Sequence, residues 1–213
     1  MRVPIPCVAA RSTDQGPLEI DLCVEVPPNG KPRIAYQYPG PDDRDAHGNL
    51  WVRMSSAGEG GRVLYHSMHP ARQRECMENL LCQVCAEPAL REAGTLFIEW
   101  QRPDEPPMRL DRLRTDMPPV CPTCAALSLR HCPVLRDDVE PVLLLVRKSV
   151  VCGVSGNLYR VKGDFEGWIE AEADVYSSYN KPRYPGLIAQ RSHRKLRGVT
   201  VVDPESLAAG QEP

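Results

Sequence analysis

Two short cysteine motifs decide the fold, Leu81-Cys82-Gln83-Val84-Cys85 and Cys121-Pro122-Thr123-Cys124. Each is a CxxC sequence, which presents two thiolates from one tight turn, and two such turns supply the four soft ligands that tetrahedral Zn²⁺ prefers. Nine cysteines scattered at random along 213 residues would give only about 0.4 pairs at this spacing, fewer than the two that are present. The motifs therefore predict one structural zinc ion, bound by Cys82, Cys85, Cys121 and Cys124.

A helix is expected to begin at the second motif, with Leu127, Leu129 and Leu135 as its apolar positions. A knuckle, a hairpin and then a helix that carries the second pair is the order of a treble clef, and the helix N-terminus would stabilise thiolates. Two alternatives stay open: unconnected pairs of core cysteines, and a redox CxxC. Cys132 and His131 could substitute for a ligand or support the site, although Cys132 before Pro133 is more simply a small core residue.

The rest of the chain predicts an α+β fold of short strands around this knuckle, with two short helices. Alternating or apolar stretches indicate strands at residues 18–26, 33–38, 50–54, 61–65, 95–100, 142–151, 158–161, 168–175 and 198–202. Pro70 favours a helix start near that position, and a short helix is possible at 187–196. We expect these elements to form one continuous body. It consists of an N-terminal β region at 1–66, a zinc-knuckle region at 67–136 and a C-terminal β-rich region at 137–205. The zinc-knuckle region contains a proline-rich insertion at 101–119, and residues 206–213 are expected to be a disordered tail.

Composition narrows the class of protein. Twenty-two prolines are about twice the usual share and favour short elements joined by stiff turns. The net charge of −2 gives no global attraction to nucleic acid or to an anionic membrane, so such a contact would need a local patch. The N-terminal residues lack an apolar export segment, and the apolar run at 142–146 is too short to span a bilayer. Nine cysteines then indicate a reducing compartment, so we expect a cytoplasmic protein with no membrane partner.

Several stretches resemble a known group of proteins. The first motif, residues 118–125 and His131-Cys132-Pro133 resemble uncharacterised actinobacterial proteins that are rich in cysteine, as do residues 43–51 and 153–159. This resemblance implies a cytoplasmic zinc protein and no particular reaction. A weaker similarity is to the treble clefs of HNH nucleases. The catalytic histidine of that family normally follows the first knuckle, and residues 86–120 contain no histidine.

The function that these patterns favour is a zinc-stabilised binding or adaptor protein that acts on a protein or on nucleic acid. A basic cluster offers candidate contacts to phosphates at Arg191, Arg194, Lys195 and Arg197, with tyrosines nearby for stacking on bases. The alternative is an enzyme, of specialised metabolism or a degenerate HNH-like nuclease, whose zinc is purely structural. Its candidate acid–base groups are His47, His66, His69 and His193, and two or more of them beside a carboxylate in one cleft would favour the enzyme.

Overall fold

The structure of the protein, a computed structural model, describes residues 5–14, 16, 21–56, 60–102, 104, 106–137, 139–163, 167–181 and 184–204. Strands and helices are both present in these residues, which confirms the α+β class. The expected disordered tail at 206–213 lies outside the described residues.

The elements follow one another along the chain with these bounds. The strands are β1 (Ala9–Arg11), β2 (Leu22–Glu25), β3 (Arg33–Tyr36), β4 (Leu50–Trp51), β5 (Val63–Met68), β6 (Leu90–Arg91), β7 (Gly94–Gln101), β8 (Arg114–Thr115), β9 (Glu140–Val161), β10 (Trp168–Ser178) and β11 (Leu187–Val202). The helices are α1 (Pro70–Asn79), α2 (Pro122–His131) and α3 (Pro133–Asp137), with one turn of 3-10 helix at Leu110–Arg112.

A seven-stranded sheet forms the centre of the protein. Its main path is β4-β11-β9-β7-β6, while β10 pairs with β9 and β8 pairs with β11. All pairs are antiparallel except the parallel contact of β4 with β11. The apolar run expected as a buried strand lies in β9, where Leu143, Leu144 and Val146 are buried. The other described strands form two pairs, β1 with β5 and β2 with β3.

The expectation of short strands is wrong for the C-terminal third of the chain. β9 has 22 residues, β10 has 11 and β11 has 16. Proline ends strands because it cannot donate to the hydrogen-bond ladder, and the chain contains none between Pro141 and Pro182. The high overall proline content therefore shortens elements only where the prolines stand.

The possible helix at residues 187–196 is also wrong, because this segment is the first part of β11. Strand β11 pairs with β9 over nearly its whole length, from Leu187 opposite Leu158 to Val202 opposite Leu143. The helix expected from the second motif does form, but it ends at His131, and Pro133 begins the separate helix α3. Proline lacks the N–H that would continue the helical ladder, which accounts for the division.

Helix α1 places the first cysteine motif. It begins at Pro70, as the sequence predicts, and its buried Gln73 exchanges two hydrogen bonds with the backbone of Ser192 in β11, each of 2.9 Å. The helix ends at Asn79, its C-cap residue Leu80 has the left-handed conformation (φ 53°), and the chain then turns into the motif. The long-range contact to β11 thus fixes where Cys82 lies.

Candidate functional site

The four predicted ligands come together. Cys82 and Cys85 lie in the turn after α1, Cys121 is the N-cap residue of α2, and Cys124 lies in its first turn. The four sulfur atoms all lie within 4.8 Å of one another, and Cys85 Sγ is 3.9 Å from Cys121 Sγ. Zn–S bonds of about 2.3 Å in a tetrahedron require S–S distances of about 3.8 Å. The donor set and its spacing therefore fit one tetrahedral metal ion.

Backbone hydrogen bonds hold the two motifs against each other. The Cys82 N–H donates to Glu87 O at 2.7 Å and the Cys82 carbonyl accepts from Ala86 at 2.9 Å, which closes the first turn. Gln83 then bridges to the segment before the second motif, with its N–H on Pro119 O at 2.8 Å and its side-chain amide on Pro118 O at 3.1 Å. Sequence reasoning missed this bridge, because a glutamine inside a CxxC motif carries no signal of its partner.

The electrostatics of the thiols favour a bound cation. Burial alone would raise the pKa of Cys82, but backbone N–H groups of Cys121, Cys85 and Val84 outweigh it and lower this pKa below the ordinary value for a thiol. Burial raises the pKa of Cys85. It also raises that of Cys124, with further contributions from the Cys121 thiol and the Cys82 charge. The lowered pKa of Cys82 favours its thiolate, whose charge opposes ionisation of Cys124, so a full set of thiolates requires a metal ion.

The other cysteines are not part of this group of four, although the Cys7 thiol donates to Gln83 O of the first motif at 3.1 Å. Among the described residues, the group able to hold a metal ion contains neither Cys132 nor His131. Cys132 packs against the core around α2, in agreement with the simpler interpretation. Cys76 is buried, with its sulfur 3.9 Å from that of Cys7. Cys7, Cys23 and Cys152 are only partly buried.

A large, mainly apolar cleft adjoins the metal centre. Its volume is about 900 Å³, and one wall comes from Gln83 and Val84 of the first motif together with Leu127 and Ser128 of α2. Other lining residues have large flexible or aromatic side chains, namely Met54, Met68, Met117, Tyr65 and Trp100. Polar side chains also line it, namely His66, His131, Asp116, Gln190 and Arg191.

A smaller polar cleft of about 340 Å³ lies on the other side of the Arg191–Asp116 ion pair. These two residues line both clefts, and their contact between Nη1 and Oδ2 measures 2.7 Å. The remaining residues of the polar cleft are Arg114, Ser155, Asp174, Tyr176 and His193. Arg191 also forms an ion pair with Asp174, so one guanidinium is shared by two carboxylates and offsets only one of their two negative charges.

The histidine of the polar cleft is neutral at physiological pH. Burial lowers the pKa of His193 to about 4, assisted by the charges of Arg114 and Arg191 and opposed by Asp116. Its Nε2 lies 2.8 Å from Ser155 Oγ, and Tyr176 meets the imidazole edge-on at 5.1 Å between ring centroids. No sequence motif marked Ser155, because its partner lies 38 residues away on the neighbouring strand.

The four basic residues predicted for partner binding do not form one patch. Arg191 is held by two carboxylates. Arg194 is only 6% exposed, and its guanidinium donates to Met77 O, Ser149 Oγ and Ser149 O. Lys195 and Arg197 are exposed. Binding of a partner by the four stays a prediction, and only the last two present their charges freely to solvent.

The candidate acid–base histidines are also separated. His47 stacks on Tyr179 at 3.6 Å between ring centroids. His66 is exposed and lines the apolar cleft, whereas His193 lies in the polar cleft. His69 is buried as the N-cap residue of α1, where burial and then the Arg72 charge lower its pKa. Neither of the two clefts described above is lined by more than one of these four histidines.

No protein-family profile, curated protein or solved structure matches this chain. The resemblance to actinobacterial proteins that are rich in cysteine therefore stays a prediction. Within the described residues, every helix is too short or too polar to cross a membrane.

Proposed function

We propose that the chain is a zinc-stabilised binding protein that acts as an adaptor, with Zn²⁺ on Cys82, Cys85, Cys121 and Cys124 in a treble-clef arrangement. The order of elements supports this topology: the first motif is followed by the β6–β7 hairpin and then by α2, whose N-terminus carries the second motif. Nine cysteines without a disulfide among them support a reducing, cytoplasmic location.

The observation that carries the proposal is that residues beside the metal ligands form part of the wall of the apolar cleft. Gln83 and Val84 lie between the first two ligands, and Leu127 and Ser128 follow the last ligand on α2. A structural zinc site contributes about 10–16 kcal/mol of binding energy to folding, comparable to the whole stability of a domain. The zinc ion thereby fixes the shape of the binding surface.

The partner that this surface fits is a protein segment with large apolar side chains. Three of the six methionines of the chain line the cleft, and flexible methionine surfaces adapt to different apolar side chains of peptides. The polar side chains that also line it resemble the rim that surrounds an apolar interface centre. A nucleic acid, the other partner class considered, would find little positive charge in this cleft, because Arg191 is already paired.

Zinc has a structural role in this proposal. Four thiolates leave no open position for water or substrate, whereas catalytic zinc keeps three protein ligands and one exchangeable position. Any chemistry would therefore lie away from the four cysteines.

An enzyme remains the second candidate because of one observation, the Ser155–His193 pair in the polar cleft. A serine nucleophile needs a base that takes its proton, and the best base has a pKa near the working pH. The pKa of His193, about 4, makes it a weak base at pH 7. The pair is better suited to hydrogen bonding with a ligand than to nucleophilic catalysis.

Metal analysis tests the zinc assignment. Purified protein should hold one zinc per chain by elemental mass spectrometry, and Cys82→Ser with Cys124→Ser should abolish zinc binding and most soluble expression. Cys23→Ser with Cys152→Ser is the matched control and should keep the metal, because neither residue belongs to the group of four. Full zinc occupancy in the double variant would refute the assignment.

Peptide selection tests the binding surface. Peptides enriched from a random display library on the native protein should carry large apolar anchors. They should lose binding to the Leu127→Arg variant, which puts a charge into the cleft. Val201→Arg is the control, because Val201 is a 54% exposed apolar residue that does not line the cleft. Equal binding to both variants, with zinc retained, would exclude the cleft as the binding surface.

A further inference from the structure

Positive charges stand directly opposite one another on three adjacent strands. Lys195 of β11 pairs with Arg114 of β8 on one side, and Arg197 of β11 pairs with Lys148 of β9 on the other. Like charges at directly opposed positions destabilise a sheet, so this arrangement weakens the fold. We refer to these four residues as the cationic strip.

The strip lies on a solvent face. Leu196, between Lys195 and Arg197, is buried, while both flanking cations are exposed, and so is Lys148. In the part of the chain that the structure describes, no carboxylate forms an ion pair with any of the four cations. Their charges therefore act together on a ligand in solution, although the protein as a whole is slightly acidic.

Arg114 connects the strip to the polar cleft. Its guanidinium carbon lies 3.6 Å from the centroid of the Tyr176 ring, and both residues line the cleft. Inside, Ser155, the neutral His193 and the Asp116 carboxylate offer hydrogen-bond donors and acceptors. The cleft volume of about 340 Å³ lies at the small end of the range for ligand pockets, about 300–1,000 Å³.

We propose that this face binds single-stranded nucleic acid, with backbone phosphates along Lys148, Lys195 and Arg197, and one base on the Arg114–Tyr176 stack. The edge of that base faces Ser155, His193 and Asp116. The inference rests on the binding function proposed above, but it uses a different surface from the apolar cleft and adds a second class of partner.

The combination of strip and cleft favours a single strand over other polyanions. Proteins bind single strands by pairing a cationic track for the backbone with aromatic or guanidinium planes on which unstacked bases lie. A duplex keeps its bases stacked and would leave the cleft unused. An acidic peptide would use the charges of the strip but has no flat ring for the Arg114 plane.

Salt dependence tests the strip. Fluorescence anisotropy of labelled oligo-dT and oligo-U of 15 nucleotides should show binding at 50 mM salt that weakens as salt rises, by a logarithmic slope of about −0.7 per phosphate contact. Changing Lys148, Lys195 and Arg197 together to alanine should reduce the slope by about two units. The matched control is Arg62→Ala with Arg130→Ala and Lys162→Ala, which removes the same charge from other exposed positions. The proposal would be overturned if no binding were seen at 50 mM salt, or if both triple variants reduced the slope of the salt dependence equally.

A second experiment tests whether a nucleobase stacks on Arg114. Arg114→Lys keeps the charge and removes the planar group, so affinity for the base-containing strands should fall about tenfold, with no change for an abasic strand of equal length. Poly-glutamate should compete poorly. Abasic strands or poly-glutamate binding as tightly as oligo-dT and oligo-U would refute the assignment to nucleic acid. All variants should retain zinc and peptide binding, so failure here leaves the zinc-stabilised binding function standing.

Discussion

Glu99 in β7 is, in the part of the chain that the structure describes, the carboxyl group with the most strongly raised pKa. Its Oε1 is buried and has no hydrogen-bond partner among the described residues. Burial, with a smaller contribution from the Asp116 charge, raises the pKa of Glu99 from an ordinary 4.5 to about 7, although a hydrogen bond to Thr115 moderates the shift. The neighbours Ile98 and Trp100 point the other way and line the apolar cleft, so Glu99 can be changed without altering that cleft.

The raised pKa of Glu99 determines the sign and the size of the effect of pH on the free energy of unfolding. Between pH 4.5 and 7 the folded protein holds a proton on Glu99 that the unfolded chain has lost, so stability falls as pH rises through this window. With these two pKa values, the loss of stability between pH 5 and pH 8 is about 2–3 kcal/mol. Glu99→Gln replaces the carboxyl by a neutral group of the same shape. The variant should therefore be nearly as stable as the native protein at pH 5 and more stable by about 2–3 kcal/mol at pH 8.

Urea unfolding followed by tryptophan fluorescence, with zinc present, measures this difference at half-unit steps from pH 5 to pH 8.5. Effects of pH on the metal centre cancel, because both proteins carry the same four cysteines. Glu140→Gln is the control, since Glu140 is exposed on the paired strand β9, and its difference from the native protein should stay flat. A stability gain for Glu99→Gln that does not change with pH would refute the reasoning.

Two further substitutions test the packing around β11. Arg194→Met removes three hydrogen bonds and leaves the acceptors on Met77 and Ser149 buried, so it should lower the free energy of unfolding by about 2–4 kcal/mol. Substitution of the exposed Arg197 by Met should change the free energy of unfolding by less than about 0.5 kcal/mol. Similar urea midpoints for the Arg194→Met and Arg197→Met variants would contradict this prediction. Gly156→Ala would push a methyl group into the Ile188 carbonyl and should destabilise by more than about 2 kcal/mol. Gly163→Ala, with open space around it, should be nearly neutral, and a tolerated Gly156→Ala would show that the strands can separate there.

The cysteine cluster and the helix starts were predictable because their signals are local. A CxxC spacing fixes two ligands within one turn, and the count of such pairs selects the other two. Proline at the first helical position marked α1, and the second motif marked the start of α2. In each case the residues that decide the structure lie within a few positions of one another.

The clefts were not predictable, because each is assembled from distant parts of the chain. The bonds between Gln73 and Ser192 join residues 119 apart and help to place the first cysteine motif beside the sheet. The Ser155–His193 contact depends on the register of β9 with β11, which shifts at irregularities on both sides of His193. Register is set by partners and bulges, and nothing in either segment alone specifies it.

The basic cluster of β11 shows why the sequence of one strand does not reveal which of its charged residues share a surface. Arg191, Arg194, Lys195 and Arg197 are equivalent in the sequence, yet the structure gives them three different environments. Arg191 lies between two carboxylates, Arg194 is buried against α1, and the last two face solvent. The cations that continue the exposed face, Arg114 and Lys148, come from segments 81 and 49 residues upstream of Lys195 and Arg197 respectively, because the register of the sheet places them opposite. A charge pattern read along the chain therefore identifies neither the surface nor its members; cross-strand pairing selects them.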